Sequence, residues 1–209
     1  MPALHVAVLL ALAWAVLVLA WMHSRAKAFG QRKLYSKPAG DPAAGVRYAF
    51  TQGMAPWAKE SVMLNLPSYA AGMVFHAGVF TALGLLLMTL AGLRAGGFAL
   101  TLARLLTLAG GVAGCALLVK RMLNRELRGL SCPDDFVSNL LSTGFALLAF
   151  LASFGPQLAG LWLAEAILLL VYAPLGKIRH CFFFFTTRYH FGAFFGRRGT
   201  FPPGGSSHA

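Results

Sequence analysis

The chain has 209 residues, of which 58% are hydrophobic and only 11% are charged. This composition excludes an ordinary soluble domain, which needs far more charge on its surface. The net charge of +12 does not indicate nucleic-acid binding, because the Lys and Arg residues lie in segments between long apolar runs. Cys115, Cys132 and Cys181 are scattered without a CxxC or CxxCH motif, which excludes covalent haem attachment and gives no support for an iron–sulfur or zinc site.

Five apolar stretches are long enough to cross a bilayer, which takes about 20 residues each. They are residues 4–22, 69–93, 98–119, 136–154 and 158–180, and the last is expected to bend at Pro174. The sequence therefore predicts an all-α membrane protein, a five-transmembrane-helix bundle that forms a single domain over residues 1–199.

The polar segments between these runs have distinct compositions. Residues 23–67 are predicted to form a cytoplasmic loop, because glycine and proline punctuate its middle at Pro38, Gly40, Pro42 and Gly45. After Pro56, an amphipathic run predicts a short helix at the membrane surface. Pro133-Asp134-Asp135 is expected to cap the fourth span, and residues 200–209 are expected to be a flexible tail.

The distribution of positive charge predicts the orientation. The segment after the first span holds seven Lys and Arg residues, the segment after the third holds four, and the tail after the fifth holds five. The opposite ends of the spans hold one or none. Because cytoplasmic loops carry the excess of Lys and Arg, we expect the N-terminus outside, the C-terminus in the cytoplasm, and a multi-pass protein of the inner membrane.

Two histidines fall at the cytoplasmic ends of two predicted spans. His76 lies about two turns into the second span, and His180 ends the fifth. An imidazole in hydrocarbon is costly unless it has a partner, and two facing histidines would saturate a haem iron axially, which favours electron transfer. Lys177, Arg179 and Arg188 could then bind the haem propionates. Alternatively, His76 hydrogen-bonds within the bundle and His180 is only interfacial.

Two charged residues lie inside predicted spans. Arg104, in the third span, is expected to snorkel towards the headgroups, or else to meet an anionic partner or a quinone headgroup. Glu165, in the fifth, is expected either to be neutral and hydrogen-bonded at a helix contact or to handle protons near a quinone.

These residues resemble the diheme cytochrome b family that includes the gamma subunit of respiratory nitrate reductase and the membrane subunits of heterodisulfide reductase. The resemblance covers most of the chain, through the number and orientation of the spans and the basic first loop. Its motifs are the FH-x-G context of the second span, the Lys-Arg pair closing the third and the P-x-x-[RK]-x-x-H ending of the fifth (Phe75, His76, Gly78, Lys120, Arg121, Pro174, Lys177 and His180).

The resemblance implies that His76 and His180 are the axial ligands of one haem b, the one nearer the cytoplasm. The family's second ligand pair would fall near Leu86 and Trp162, where this chain has no histidine, so the outer haem is expected to be absent. The expected function is electron transfer between membrane quinone and a cytoplasmic iron–sulfur subunit of heterodisulfide reductase-like or nitrate reductase-like type. In that case the chain would be one subunit of an oxidoreductase. The alternative is a haem-free membrane anchor or assembly subunit.

Overall fold

The computed structural model describes residues 2–30 and 35–203, and these residues form helices and no strands. The described residues contain the α-helices α1 (Pro2–Phe29), α2 (Pro42–Phe50), α3 (Glu60–Met63), α4 (Leu66–Leu90), α5 (Gly97–Leu123), α6 (Arg125–Gly129), α7 (Pro133–Ala152), α8 (Ala159–Tyr172) and α9 (His180–Arg197). The predicted all-helical class is therefore confirmed for the part of the chain that is described.

Helices α1, α4, α5 and α7 are each long and apolar enough to cross a membrane. The segments Pro156–Tyr172 and Lys177–Arg197 meet the same criterion only when taken together as one interrupted span. Length and composition thus support four spans, or five if the interrupted pair counts as one. The predicted fifth span, residues 158–180, is interrupted in the structure. Helix α8 ends at Tyr172, and the separate helix α9 begins at His180 and ends at Arg197.

The chain divides into two compact units, whereas we predicted a single domain. The first unit contains residues 1–18 and 67–178, and the second contains residues 19–66 and 179–209. Helix α1 contributes its first part to one unit and its last turns to the other. The segment predicted as a loop therefore belongs with the C-terminal helix in a folded unit of its own.

The core of the first unit is an apolar cluster drawn from α1, α4, α7 and α8. Val8, Phe145 and Leu163 are almost completely buried there, and Leu86 and Trp162 belong to the same cluster. Trp162 stacks on Phe145 with ring centroids 6.1 Å apart. Side chains that fill this volume remove apolar surface from contact with their surroundings and hold the four helices together.

Helices α4 and α5 approach most closely at a pair of glycines. A Cβ atom placed on Gly78 would lie 2.6 Å from the Cα of Gly110 and 2.7 Å from the carbonyl oxygen of Leu106. Both neighbours are backbone atoms, which cannot rotate away as a side chain can. Small residues at membrane helix contacts allow this kind of backbone approach, so Gly78 sets the spacing of the two helices.

Replacing Gly78 by alanine should therefore destabilise the first unit by about 1–3 kcal/mol, the usual cost of overpacking. The matched control is Gly84→Ala in the same helix, because a Cβ there meets no atom within 4 Å. Alanine at that position should be neutral or stabilising by about 0.5–1 kcal/mol, as for glycine in a helix interior. Thermal unfolding of the detergent-solubilised variants measures both changes. Equal Tm values for the two variants would contradict the close contact between Gly78 and Gly110.

The second unit contains a helix where we predicted a loop. Helix α2 begins with Pro42, which is tolerated in a first helical turn. The carboxylate of Asp41 caps it by accepting hydrogen bonds from the backbone N–H groups of Ala43 and Ala44 at 2.8 and 3.1 Å. The loop prediction was wrong here because Pro42 and Gly45 act as a helix start and a packing site, not as turn residues. The predicted loop residues Arg32 and Lys33 lie outside the described residues.

Helices α2 and α9 pack through glycine. A Cβ on Gly192 would lie 2.8 Å from the carbonyl oxygen of Gly45, and one on Gly196 would lie 2.8 Å from the Cα of Gly45. Ala49, one turn after Gly45, is almost completely buried. The backbone N–H groups of Ala39 and Gly40 donate to the carbonyl oxygen of Arg197 at 2.9 and 3.1 Å, which satisfies the C-terminal end of α9.

Two smaller predictions at the edges of this unit need correction. The amphipathic run after Pro56 forms a 3-10 turn and the four-residue helix α3, which is shorter than expected. In the predicted flexible tail, the Phe201 ring packs at 4.9 Å from Tyr48 and 5.1 Å from Phe195, measured between ring centroids. Residues 204–209 of that tail lie outside the described residues.

Candidate functional site

His76 lies in α4 of the first unit with its side chain exposed. Its Nδ1 atom lies 2.6 Å from the carbonyl oxygen of Gly72, one turn earlier in the helix. A carbonyl can only accept a hydrogen bond, so Nδ1 carries the hydrogen and Nε2 of the neutral ring carries the lone pair. Metal-ligating histidines in proteins almost always donate their second ring N–H to a carbonyl or carboxylate in this way.

The surroundings of His76 leave room on one side. A Cβ atom on Gly72 would meet no atom within 4 Å, so the turn before His76 presents open space. The ring of Phe80, one turn later, lies 6.1 Å from the imidazole between centroids. An exposed imidazole with a fixed tautomer, a small residue before it and an aromatic ring after it is chemically suited to an axial ligand position on a flat macrocycle.

His180 is the first residue of α9 and is exposed. It follows a 3-10 turn formed by Lys177–Arg179. His180 belongs to the second unit, whereas His76 belongs to the first. The assignment of His180 as the second axial ligand rests on the sequence, and it stays a prediction.

Lys177, predicted to bind a propionate, is engaged by an acidic side chain. Its Nζ lies 2.7 Å from Oδ1 of Asp135, which also lies 3.6 Å from Nη1 of Arg121. Asp135 accepts a hydrogen bond at 3.0 Å from the backbone N–H of Cys132, so the expected helix cap at Asp134-Asp135 is present. Asp135 thus connects the start of α7 to the segment after α8, and a propionate would have to compete with it for Lys177.

The other two predicted cations differ from each other. Arg179 is exposed, and its side chain makes no hydrogen bond or ion pair with the described residues. Arg188 instead donates Nη2 to the carbonyl oxygen of Gly53 at 2.9 Å, inside the second unit. One N–H of the Arg188 guanidinium is therefore already taken by the backbone of its own unit, which leaves fewer donors for a propionate. The assignments of Arg179 and Arg188 as propionate-binding residues both stay predictions.

Leu86 and Trp162, where the resemblance would place an outer ligand pair, are packed side chains. Leu86 and Trp162 are 2% and 6% exposed, and both belong to the apolar cluster of the first unit. Phe145 stacks on Trp162 at this level. A macrocycle between α4 and α8 would require these side chains to leave a close-packed core, which is costly. The absence of a second haem stays a prediction.

Arg104 has a structural role that the sequence did not reveal. Its Nε and Nη2 atoms donate to Oγ and the backbone oxygen of Ser153 at 2.9 and 2.6 Å. Its guanidinium carbon lies 4.1 Å from the ring centre of Phe154. Ser153 is the C-cap of α7, where the helix dipole places partial negative charge. Arg104 therefore caps a helix and does not simply snorkel.

Replacing Arg104 by leucine should lower the Tm by about 3–10 °C, the effect expected when charged hydrogen bonds worth roughly 1.5–3 kcal/mol are lost. Arg94→Leu is the control, because Arg94 is exposed and forms no hydrogen bond or ion pair among the described residues. Thermal unfolding in detergent compares the two. A Tm for Arg104→Leu equal to that of the control would show that the cap contributes nothing.

Glu165 lies at a helix contact. Its side chain is half-buried on α8, and a Cβ on Gly144 of α7 would lie 3.1 Å from its Oε1 atom. Gly144 thus makes room for the carboxyl group between the two helices. Of the two roles considered from the sequence, this position favours the helix contact.

A cavity of about 490 Å³ opens in the first unit among the ends of four helices. It is lined by the last turns of α4 and α7 and the first turns of α5 and α8, with Arg94 and Trp162 among its residues. Met88, also in its lining, lies about 18 Å beyond His76 along the axis of α4. An apolar cavity with a guanidinium suits an amphiphilic ligand with a polar head.

Sequence reasoning missed the glycines that join α2 and α9. The signal was present as Gly192 and Gly196 four residues apart on α9, and as Gly45 and Ala49 four residues apart on α2. This spacing places small residues on one helix face and is typical of close helix pairs in membranes.

Comparison of the chain with protein-family models, with curated proteins and with solved structures found no match.

Proposed function

We propose that this chain is a one-haem b-type cytochrome subunit of a membrane oxidoreductase. It would transfer electrons between the quinone pool and a cytoplasmic iron–sulfur subunit, with the N-terminus outside and the C-terminus inside. The observation that supports the proposal is the hydrogen bond from His76 Nδ1 to the carbonyl oxygen of Gly72, because it leaves Nε2 as the ring nitrogen that would ligate the iron. The resemblance to the nitrate reductase gamma subunit family supplies the partner and the quinone.

The residues of the chain have separate roles in this proposal. His76 holds the iron from α4, and Gly72 fixes its tautomer and ring orientation through its carbonyl oxygen. His180 supplies the second ligand, and Arg179 supplies positive charge for a propionate. When bound, the haem would supply a one-electron redox centre.

The packed cluster around Trp162 supports a single haem over two. Leu86 and Trp162 occupy the level at which the related family places its outer ligands, and both are buried. Electrons would therefore not cross the full membrane through two haems.

A haem-free anchor or assembly subunit is the second candidate. The contact between Gly78 and Gly110 favours it, because this part of the small-residue flank of α4 serves helix packing and not a macrocycle. Gly72, which lies beside open space on the same helix, favours the haem.

Reduction by a quinol tests the proposal. Adding a reduced, water-soluble quinone analogue to the purified protein under anaerobic conditions should produce the reduced absorbance spectrum of a low-spin b-type haem. A protein that carries haem but is reduced only by dithionite would contradict the link to quinone. A colourless protein from haem-supplied cells would contradict the cytochrome itself and favour the anchor.

A further inference from the structure

In the second unit, two cations lie together without an acidic partner. Arg188 of α9 donates Nη2 to the carbonyl oxygen of Gly53, in the 3-10 turn Gln52–Met54. A second 3-10 turn, Pro56–Ala58, follows and leads directly to Lys59. The charge of Arg188 and partial burial both lower the pKa of the Lys59 ammonium, with burial the larger cause. Two like charges in proximity repel each other unless an anion lies between or beside them.

Neither cation is neutralised by the described residues. The ion pairs formed in the described part of the chain join Asp135 to Arg121 and Lys177, in the other unit. Glu60 follows Lys59 directly and is exposed, yet it forms no ion pair with either cation. In addition, the Nε atom of Arg188 is buried and has no hydrogen-bond partner. A buried guanidinium N–H without an acceptor is costly, and the Gly53 carbonyl alone compensates the charge of Arg188 only in part.

The side chains near these cations are exposed aromatics. Trp57, two residues before Lys59, is 78% exposed, and Phe185 and Tyr189 on α9 are 64% and 55% exposed. Phe185 and Tyr189 flank Arg188 along the helix at three residues before and one after. Tryptophan and tyrosine are enriched where a protein meets lipid headgroups, and Lys and Arg near such a surface attract anionic lipids. A site for a small soluble anion would not require these aromatic side chains.

We propose that Lys59 and Arg188 bind the phosphate of an anionic phospholipid, with Trp57, Phe185 and Tyr189 in the headgroup and upper acyl region. The phosphate oxygens accept hydrogen bonds from the guanidinium and the ammonium, and they neutralise both charges. All residues of this site belong to the second unit. It anchors that unit to the lipid through charge and aromatic contacts together.

The test is the binding of phosphatidylglycerol with short acyl chains to the detergent-solubilised, full-length protein, measured by native mass spectrometry. Phosphatidylcholine and inorganic phosphate are the comparison ligands. Lys59→Gln should weaken phosphatidylglycerol binding about fivefold, from roughly 1 kcal/mol per cation near an anionic surface. This variant keeps the hydrogen bond from Arg188 to Gly53, so weaker lipid binding would reflect the lost charge of Lys59 and not a change in the fold. Arg198→Gln is the control, because Arg198 lies over the ring of Phe194 at the far end of α9.

Three results would overturn the proposal. Equal affinity of the wild-type protein and Lys59→Gln for phosphatidylglycerol would exclude the site and leave this surface to a protein partner. Equal binding of phosphatidylcholine would exclude recognition of net negative charge. Inorganic phosphate that displaces the lipid at comparable concentration would show a phosphate site in which the aromatic residues take no part.

Discussion

Replacing His76 by alanine should remove the haem from the purified protein completely. The variant loses one of two axial ligands, and a methyl group cannot replace an imidazole nitrogen at the iron. The hydrogen bond from Nδ1 to Gly72 fixes the orientation of the His76 ring, so His76 is the better-defined of the two proposed ligands. The measurement is the reduced-minus-oxidised absorbance spectrum of equal amounts of wild-type and variant protein, expressed with ample haem supply.

The control for this experiment is His190→Ala. His190 lies on α9, ten residues after His180, and we assign it no ligand role. The spectrum of this variant should match the wild-type spectrum, whereas His180→Ala should lose the low-spin signal as His76→Ala does. Retention of the full absorbance band in His76→Ala would exclude His76 as a ligand, and loss in His180→Ala alone would require a different partner for His180.

Replacing Gly45 by alanine should separate helices α2 and α9 and destabilise the second unit. The new Cβ would overlap the carbonyl oxygen of Gly192 and lie 2.7 Å from the backbone nitrogen of Gly196. Backbone atoms surround the position, so relief requires the two helices to separate. We expect a loss of about 3 kcal/mol, the upper end of the usual cost of overpacking.

Limited proteolysis measures this effect inside the membrane protein. A loss of about 3 kcal/mol raises the population of the open second unit roughly 100-fold, and cleavage between residues 35 and 66 should accelerate accordingly. Gly30→Ala is the control, because the nearest atom to its Cβ would be the Lys27 carbonyl oxygen at 3.9 Å. Unchanged cleavage of Gly45→Ala would show that the helices are not in contact.

Much of the helical architecture could be predicted from the sequence because hydrocarbon permits few alternatives. A run of apolar residues in lipid must satisfy its own backbone hydrogen bonds, so α1, α4, α5 and α7 followed from length and composition. The residues after Tyr172 were harder, because Pro174 indicates a bend but not a second helix that continues to Arg197.

The second unit could not be predicted because its stabilising contacts join distant parts of the chain. Pro42 and Gly45 are typical of loops when taken with their neighbours alone. Their role becomes visible only beside Gly192 and Gly196, about 150 residues later. The C-cap at Ser153 is a similar case, since nothing local to Arg104 indicates the end of α7.

Within the candidate site, the sequence identified residue types but not their partners. It predicted Lys177, Arg179 and Arg188 as equivalent cations. In the structure, Asp135 engages Lys177, and Gly53 accepts a hydrogen bond from Arg188. Their spacing along the chain carries no information about these distant acceptors, which belong to α7 and to a 3-10 turn.

The most direct test of the central claim is the stoichiometry of haem in the purified wild-type protein, measured by the pyridine haemochrome assay. The account predicts one b-type haem per chain, with a low-spin spectrum that reflects two histidine ligands. Two haems per chain would contradict the packed cluster of Leu86, Phe145 and Trp162 as a filled core. The absence of haem from protein made with ample haem supply would contradict the cytochrome proposal as a whole.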